Sequence, residues 1–330
     1  MGKPITYADI TPLEPEWEVP GLVPKSFVTL IMGDGGVGKG QLWSDWAGRI
    51  TTGRHMPNTP DDEPAPAPGN VLLVTSEDDP NMSTAWRLRA AGADLSRVYD
   101  MTDDFEIPGS LDMLSAKIDE IGNVRLVVID PLADNLGTVP NSKRQISLTS
   151  GNVTLRKYVM RPLEKLARSK GIALVVIHHT VKSGRMAGSK GISDAARMVL
   201  RITRPDETQP LRLIMVEKTN IASGTDVVGY TITGQWPDVH VSYVDAPADD
   251  KRGPERELST AEKILDLLAD PSKYGLAPGA VETQAIATKL GIAYGTVRVA
   301  ITRLSKAGAI ESPKRGQWTL ASVPELAVAS

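Results

Sequence analysis

The chain has 330 residues, 41% of them hydrophobic, and its 37 Lys/Arg against 40 Asp/Glu leave a net charge of −3. It contains no cysteine, which excludes disulfides, thiol nucleophiles and thiolate metal sites and fits a reducing cytoplasm. No run of about 18 apolar residues is present, so neither a membrane span nor a membrane partner is expected.

Residues 1–26 form a polar, proline-rich lead-in that lacks the pattern of a signal peptide. From residue 27 onward, apolar β-type runs alternate with helical patterns. Strands are predicted at Phe27–Met32, Val71–Ser76, Arg125–Asp130 and Ala173–His178, and helices at Gln41–Gly53, Met82–Ala91, Leu111–Ile121 and Leu163–Lys170. The apolar runs are near-continuous, the pattern of strands buried on both faces of a parallel sheet. Strand and helix in alternation predict a doubly wound α/β core with right-handed crossovers. Further strands, Met198–Ile202, Leu211–Lys218, Val227–Thr233 and Val239–Val244, follow at short spacing, which predicts antiparallel pairing at one edge. The polar segment 133–154 is long for a simple connection, and 180–189 reads as a second loop.

The core is therefore expected over 27–245, a linker over 246–257, a small module over 258–321 and a tail over 322–330. In the module the period changes. Helices are predicted at Thr260–Ala269, Val281–Leu290 and Tyr294–Ala307, then short strands at Ala309–Glu311 and Gln317–Leu320 around a basic turn. That order is the pattern of a winged helix-turn-helix. Charge is uneven too: residues 251–330 hold 11 Lys/Arg and 8 Asp/Glu, while residues 1–250 hold 26 and 32. On the third helix Thr296, Arg298, Thr302 and Arg303 are placed for base edges, and Lys314 and Arg315 at the wing tip for phosphates of duplex DNA. Winged helices also bind proteins, and that alternative stays open.

The chemistry sits at the strand ends. Gly33, Asp34, Gly35, Gly36, Val37, Gly38 and Lys39 follow the first strand and precede a helix. Backbone N–H groups of such a loop and of the helix N-terminus point at phosphate oxygens, and the lysine adds a point charge. The expected ligand is ATP. The usual hydroxyl after the lysine, which holds Mg²⁺, is missing: Gly40 and Gln41 stand there. The second strand leads to Glu77, placed to polarise a water. The third ends in Asp130, placed to hold Mg²⁺, and the fourth in His178 and His179. Successive residues of a strand face opposite sides, so one histidine reaches the site, and His179 is favoured. The carboxyl ends of strands in an open α/β sheet meet in one crevice. Each of these residues alone has a structural explanation, as helix cap or loop residue; together they point to nucleotide hydrolysis.

The loop Gly33–Lys39, the run 76–80 around Glu77, the run 127–131 around Asp130 and the run 177–182 around the histidines together resemble the RecA-like ATPases related to plasmid hexameric replicative helicases. The run 188–197, ending in Asp194 and Arg197, and the run 217–220 containing Lys218 and Asn220 resemble later family motifs. The resemblance covers about residues 17–233. It implies a homo-oligomeric ring, usually a hexamer, with ATP between subunits. It gives Arg197 first, and Lys218 second, the part of a cation acting on a neighbour's nucleotide, and it gives Arg87 a phosphate contact within its own chain. It places the loops 133–154 and 180–189, with Lys182, Arg185 and Lys190, on single-stranded DNA. The expected function is an ATP-dependent DNA motor of helicase type, in replication, repair or mobile-element maintenance. A DNA-bound regulator or loader switched by ATP and a recombinase-like filament former are the alternatives.

Overall fold

The computed structural model describes residues 6–7, 11–60, 62–101, 104–180, 191–221, 227–247, 260–314 and 316–321. The chain divides into two compact units, Met1–Pro254 and Glu255–Ser330. Lys182, Arg185, Lys190 and Arg315 lie outside the described residues, as do most of the expected loop 180–189 and linker and the tail after residue 321.

The first unit opens with a short hairpin, β1 (Trp17–Val19) and β2 (Val23–Pro24), followed by β3 (Val28–Gly33) and α1 (Lys39–Thr52). Then come β4 (Asn70–Thr75), α2 (Ala85–Ala90), β5 (Val98–Asp100), α3 (Leu111–Ile121) and β6 (Val124–Asp130). They are followed by α4 (Asn152–Leu155), α5 (Arg161–Lys170), β7 (Ala173–His179), α6 (Gly191–Ala195), β8 (Met198–Thr203), β9 (Leu211–Thr219), β10 (Val227–Gln235) and β11 (Asp238–Val244). One sheet holds the order β11-β10-β9-β8-β3-β7-β6-β4-β5. Pairing is parallel from β8 through β5 and antiparallel from β8 to β11, as the short spacing of the later strands predicted.

Strand alternation builds two cores. Leu30, Met32, Val127, Ile129, Leu174 and Val176 pack on one face with residues of α3 and α5. Ile31, Leu126, Val128, Val175 and Ile177 pack on the other with α1. A sheet with both faces covered needs both side-chain sets apolar, which is why these strands read as continuous apolar runs. The C-terminal edge is tied to α1 by a polar cluster. Tyr243 Oη donates to Asp45 Oδ2 at 2.9 Å and accepts from Trp46 Nε1 at 3.0 Å, while Arg49 Nε donates to Asp45 Oδ2 at 2.8 Å.

Several boundaries differ from the sequence reading. Helical backbone runs from Asn152 through a π-helical turn at Arg156–Met160 into α5. Pro162 falls inside this helical run, just after the π-helical turn, so the start expected at Leu163 is not a helix start. The helix expected from Met82 begins as a wide turn over Pro80–Thr84, capped by Asp79, whose carboxylate accepts from the N–H groups of Asn81 and Met82. The segment 133–154 is folded: Ile146 is buried, and backbone bonds join Val139 to Arg144 and Ile146 to Gly137.

In the second unit α7 (Thr260–Ala269), α8 (Thr283–Leu290) and α9 (Tyr294–Lys306) pack around Ile264, Leu267, Ile286, Val297 and Ile301. Strands β12 (Val281–Glu282), β13 (Ile310–Lys314) and β14 (Gln317–Leu320) form a sheet of order β12-β14-β13. Val281 had been assigned to a helix; it pairs instead with Trp318.

Among described residues, no helix is long and apolar enough to cross a membrane. The Tyr243→Phe variant should lose about 1–3 kcal/mol of stability, because it strips a donor from a buried carboxylate and an acceptor from a buried indole. Urea unfolding of parent and variant measures this; equal midpoints would show that the cluster contributes nothing.

Candidate nucleotide site

The site begins with the turn after β3. Gly36 and Gly38 adopt left-handed φ values of 75° and 101°, which side chains resist. A Cβ on Gly38 would also collide with the Ile232 side chain. The turn delivers the chain into α1, whose N-cap is Gly38 and makes no side-chain cap bond. The N-terminal N–H groups of α1 are thus left facing the loop, with the positive end of the helix dipole behind them. Lys39, 5% exposed, folds back on the turn, and its Nζ donates to the carbonyls of Gly33 and Asp34 at 2.8 Å each. Burial lowers its pKa, opposed by the charges of Asp130, Asp34 and Glu77. A recess of about 260 Å³ opens over Gly33–Val37, with Arg201 and Arg204 on its far wall.

Parallel register brings the other groups to the same edge. Gly33 pairs with His179, and Thr75 with Asp130. Thr180 ties the end of β7 to the loop: its N–H donates to Gly33 O at 3.1 Å, and its hydroxyl bonds to the Asp34 carboxylate. His178 is buried, whereas His179 turns toward Glu77, with Nε2 3.5 Å from Glu77 Oε2. His179 Nε2 is itself buried with no hydrogen-bond partner. Asp130 accepts from Trp43 Nε1 at 2.8 Å. Burial raises the Asp130 pKa, offset by the Trp43 bond and by the charges of His179, Arg87 and Lys39.

Arg87 reaches the same place from α2. Its Nη2 donates to the Asp78 carboxylate and to Ser83 Oγ, the latter at 3.1 Å. Its guanidinium carbon stands 5.8 Å from the Trp43 ring centroid, and its Nη1 fills the space beside Gly40 where a side chain would go. The magnesium that the loop pattern implies finds few donors here. Position 40 has no hydroxyl, one Asp130 oxygen is bonded to Trp43, and a cation stands beside Gly40. Among described residues no group of three or more His, Cys, Asp or Glu could hold a metal. These residues fit anionic oxygens, and toward a metal the protein offers one free Asp130 oxygen, the rest of the shell falling to phosphates and water. Gln41, expected beside the phosphates, lies in the first turn of α1 and is half-buried.

Arg197 and Lys218 lie elsewhere. Arg197 precedes β8 at the edge level with Val28, and β3 rises from there by about 17 Å to the loop. Neither residue is near the loop of its own chain. Arg197 is exposed. Lys218 Nζ donates to the carbonyls of Ser193, Asp194 and Ala196 at 2.8–3.0 Å, closing the end of α6. In the second unit Thr296, Arg298, Thr302 and Arg303 are exposed on α9, and Lys314 is exposed at the end of β13.

Trp43, Arg201 and Arg204 escaped the sequence reading. Trp43 had a signal: it is four residues after Lys39, on the same helical face. The two arginines lie on or just beyond β8, and only the sheet order puts that strand beside the loop.

The AAA domain family matches residues 6–185. DNA repair protein RadA of Mycobacterium tuberculosis, in strains CDC 1551 / Oshkosh and ATCC 25618 / H37Rv, is 26% identical over 212 residues, 63% of this chain. The chain spans 38% of the length of these curated relatives. A solved structure, the ATPase domain of the protein named G40P, has a TM-score of 0.48 at 14% identity and covers 68% of this chain and 86% of that one.

The raised Asp130 pKa carries a stability prediction. A carboxyl whose pKa is higher folded than unfolded stabilises the fold fully below the unfolded value, and that gain is lost as pH rises through the folded value. The Asp130→Asn variant keeps an acceptor for Trp43 and removes the buried charge. It should therefore unfold at higher temperature than the parent at pH 8, with the gap closing below about pH 4. Thermal melts at the two pH values test this; a variant less stable at pH 8 would contradict it.

Proposed function

The chain belongs to the AAA domain family, and from that premise we propose that it is a P-loop ATPase of RecA-like type that hydrolyses ATP to drive work on DNA. The observation that carries the reading is the convergence of Lys39, Glu77, His179 and Asp130 at one sheet edge. ATP would seat its phosphates on the turn 33–38 and the N-terminus of α1, displacing Lys39 from its carbonyl partners onto phosphate oxygens. The Glu77 side chain is 55% exposed and stands beside His179, so it meets both solvent and the site. It takes the proton of a water whose oxygen attacks the γ-phosphorus; the bond to the bridging oxygen breaks, and ADP leaves. Lys39 and Arg87 face the charge that develops on the phosphate oxygens.

Arg197 is the favoured cation for a neighbouring subunit's nucleotide, since its own loop is out of reach. Lys218 then supports it by closing α6, with its ammonium already engaged. That assignment makes a homo-oligomer, with a hexameric ring as the preferred form. The relatives' name, DNA repair protein, supports work on DNA. We read 27–245 as the motor and 258–321 as a winged helix, with α9 presented to duplex DNA and single strands held by the loops 133–154 and 180–189. Its setting is replication, repair or mobile-element maintenance in the cytoplasm.

The Glu77→Gln variant should bind ATP as the parent does and lose turnover by roughly a hundredfold, the scale of removing a general base. Phosphate release together with a nucleotide-binding titration tests this; normal turnover would move the water-activating role elsewhere.

The module 258–321 expressed alone should fold around Ile264, Leu267, Ile286, Val297 and Ile301 and bind duplex DNA weakly. Removing the charge of Lys314 should weaken binding to every sequence and flatten the salt slope by about one unit, whereas Arg298→Ala should change sequence preference. An apolar groove between α7 and α9, with Val299 53% exposed, favours a protein partner as the competing reading. A folded module that binds no duplex at low salt would select it.

A further inference from the structure

In the loop pattern the residue after the lysine supplies a hydroxyl to the nucleotide's metal. Here that residue is Gly40, and the space is filled from outside the loop. An ideal Cβ on Gly40 would fall far inside van der Waals distance of Arg87 Nη1 and 3.3 Å from its guanidinium carbon. The arginine is held there firmly. Its side chain is 10% exposed, its Nη2 bonds to Asp78 and Ser83, and its plane lies near the Trp43 ring. Trp43 also takes one oxygen of Asp130, the second group that would face a metal. A single indole therefore touches both the cation and the carboxylate. Arg87 Nε is buried and has no hydrogen-bond partner. A hard dication seeks six or more oxygens. Phosphates and water supply most of them for a nucleotide's magnesium, and the protein here offers one remaining carboxylate oxygen with a fixed positive charge beside it.

We propose that Arg87, seated on Gly40, replaces the protein's hold on the divalent cation, so that the chain binds the triphosphate of a nucleoside without needing the metal. The proposal rests on reading the loop as an ATP site. Two cations on separate elements, Lys39 on α1 and Arg87 on α2, then meet the anionic oxygens. Arginine suits this part because its charge persists at every physiological pH and its donors lie in a rigid fork. Both bonds that anchor the guanidinium use Nη2, and Nη1 is turned toward Gly40 in the first turn of α1. The glycine is what makes room. A serine or threonine at position 40 and Arg87 in its present place exclude each other.

The test is an equilibrium titration of the full chain with a fluorescent ATP analogue, in magnesium and in excess EDTA. The parent's affinity should change by less than about threefold between the two conditions. Arg87→Gln should lose about tenfold or more in EDTA and distinctly less in magnesium, because the metal is then admitted. Adding Gly40→Ser to Arg87→Gln should recover affinity in magnesium only. Should Arg87→Gln fail to melt cooperatively, Arg87→Lys decides, since it keeps the charge and should keep most of the binding in EDTA. A parent that loses tenfold or more in EDTA overturns the proposal, and so does an Arg87→Gln loss that is equal in both conditions. A folded parent that binds the analogue in neither condition overturns the ATP-site reading and this inference with it.

Discussion

Parallel pairing of β3 with β7, residue for residue from Val28 with Leu174 to Gly33 with His179, is the constraint on which the site depends. It fixes the phosphate loop and the histidine at one level. Because β6 pairs with β7 and β4 with β6, the same ladder sets Asp130 and the approach to Glu77 at that edge. A slip of one residue in β7 would exchange His179 for His178 and turn the wrong face of the strand to the core. Both faces of β7 are apolar, so side-chain shape rather than polarity resists the slip: Leu174 and Val176 fill one core, Val175 and Ile177 the other. The precision of the site is thus a by-product of packing rather than of polar contacts within the site.

Around that edge, burial and charge pull against each other. Lys39 and Asp130 are each pushed by desolvation toward their neutral forms, and each is held back by the other's charge. Their mutual attraction depends on both staying ionised in a place that disfavours either alone. The tie from Tyr243 to Asp45 and Trp46 keeps α1, and hence Lys39, in position from the far edge strand.

The strand pattern, the loop and the four strand-end groups were legible because each rests on local rules: apolar runs, glycines and a lysine at fixed spacing. The antiparallel edge was legible from the short intervals between later strands. The partners of those groups were not. Trp43 bonds to Asp130 across 87 residues of chain, and Arg87 stands on Gly40 across 47, contacts that no local pattern encodes. Val281 shows the opposite limit. Its helical surroundings were plain, but pairing with Trp318 claimed it for a strand. Lys218 was read as a free cation because a motif gives a residue type and not its hydrogen bonds; three carbonyls at the end of α6 hold it.

The two glycines flanking Lys39 have different histories open to them. Gly38 combines a left-handed backbone with the Ile232 side chain pressed against it, and every amino acid one base away from a glycine codon carries a Cβ. That position is a genetic dead end while the loop lasts. Gly40 is obstructed only by the tip of the Arg87 side chain, which a substitution at 87 removes. It can change, but in a set order, with Arg87 giving way before a side chain arrives at 40. The fitness effect of either substitution therefore depends on which came first, and the pair forms a ratchet written into the space the two positions share.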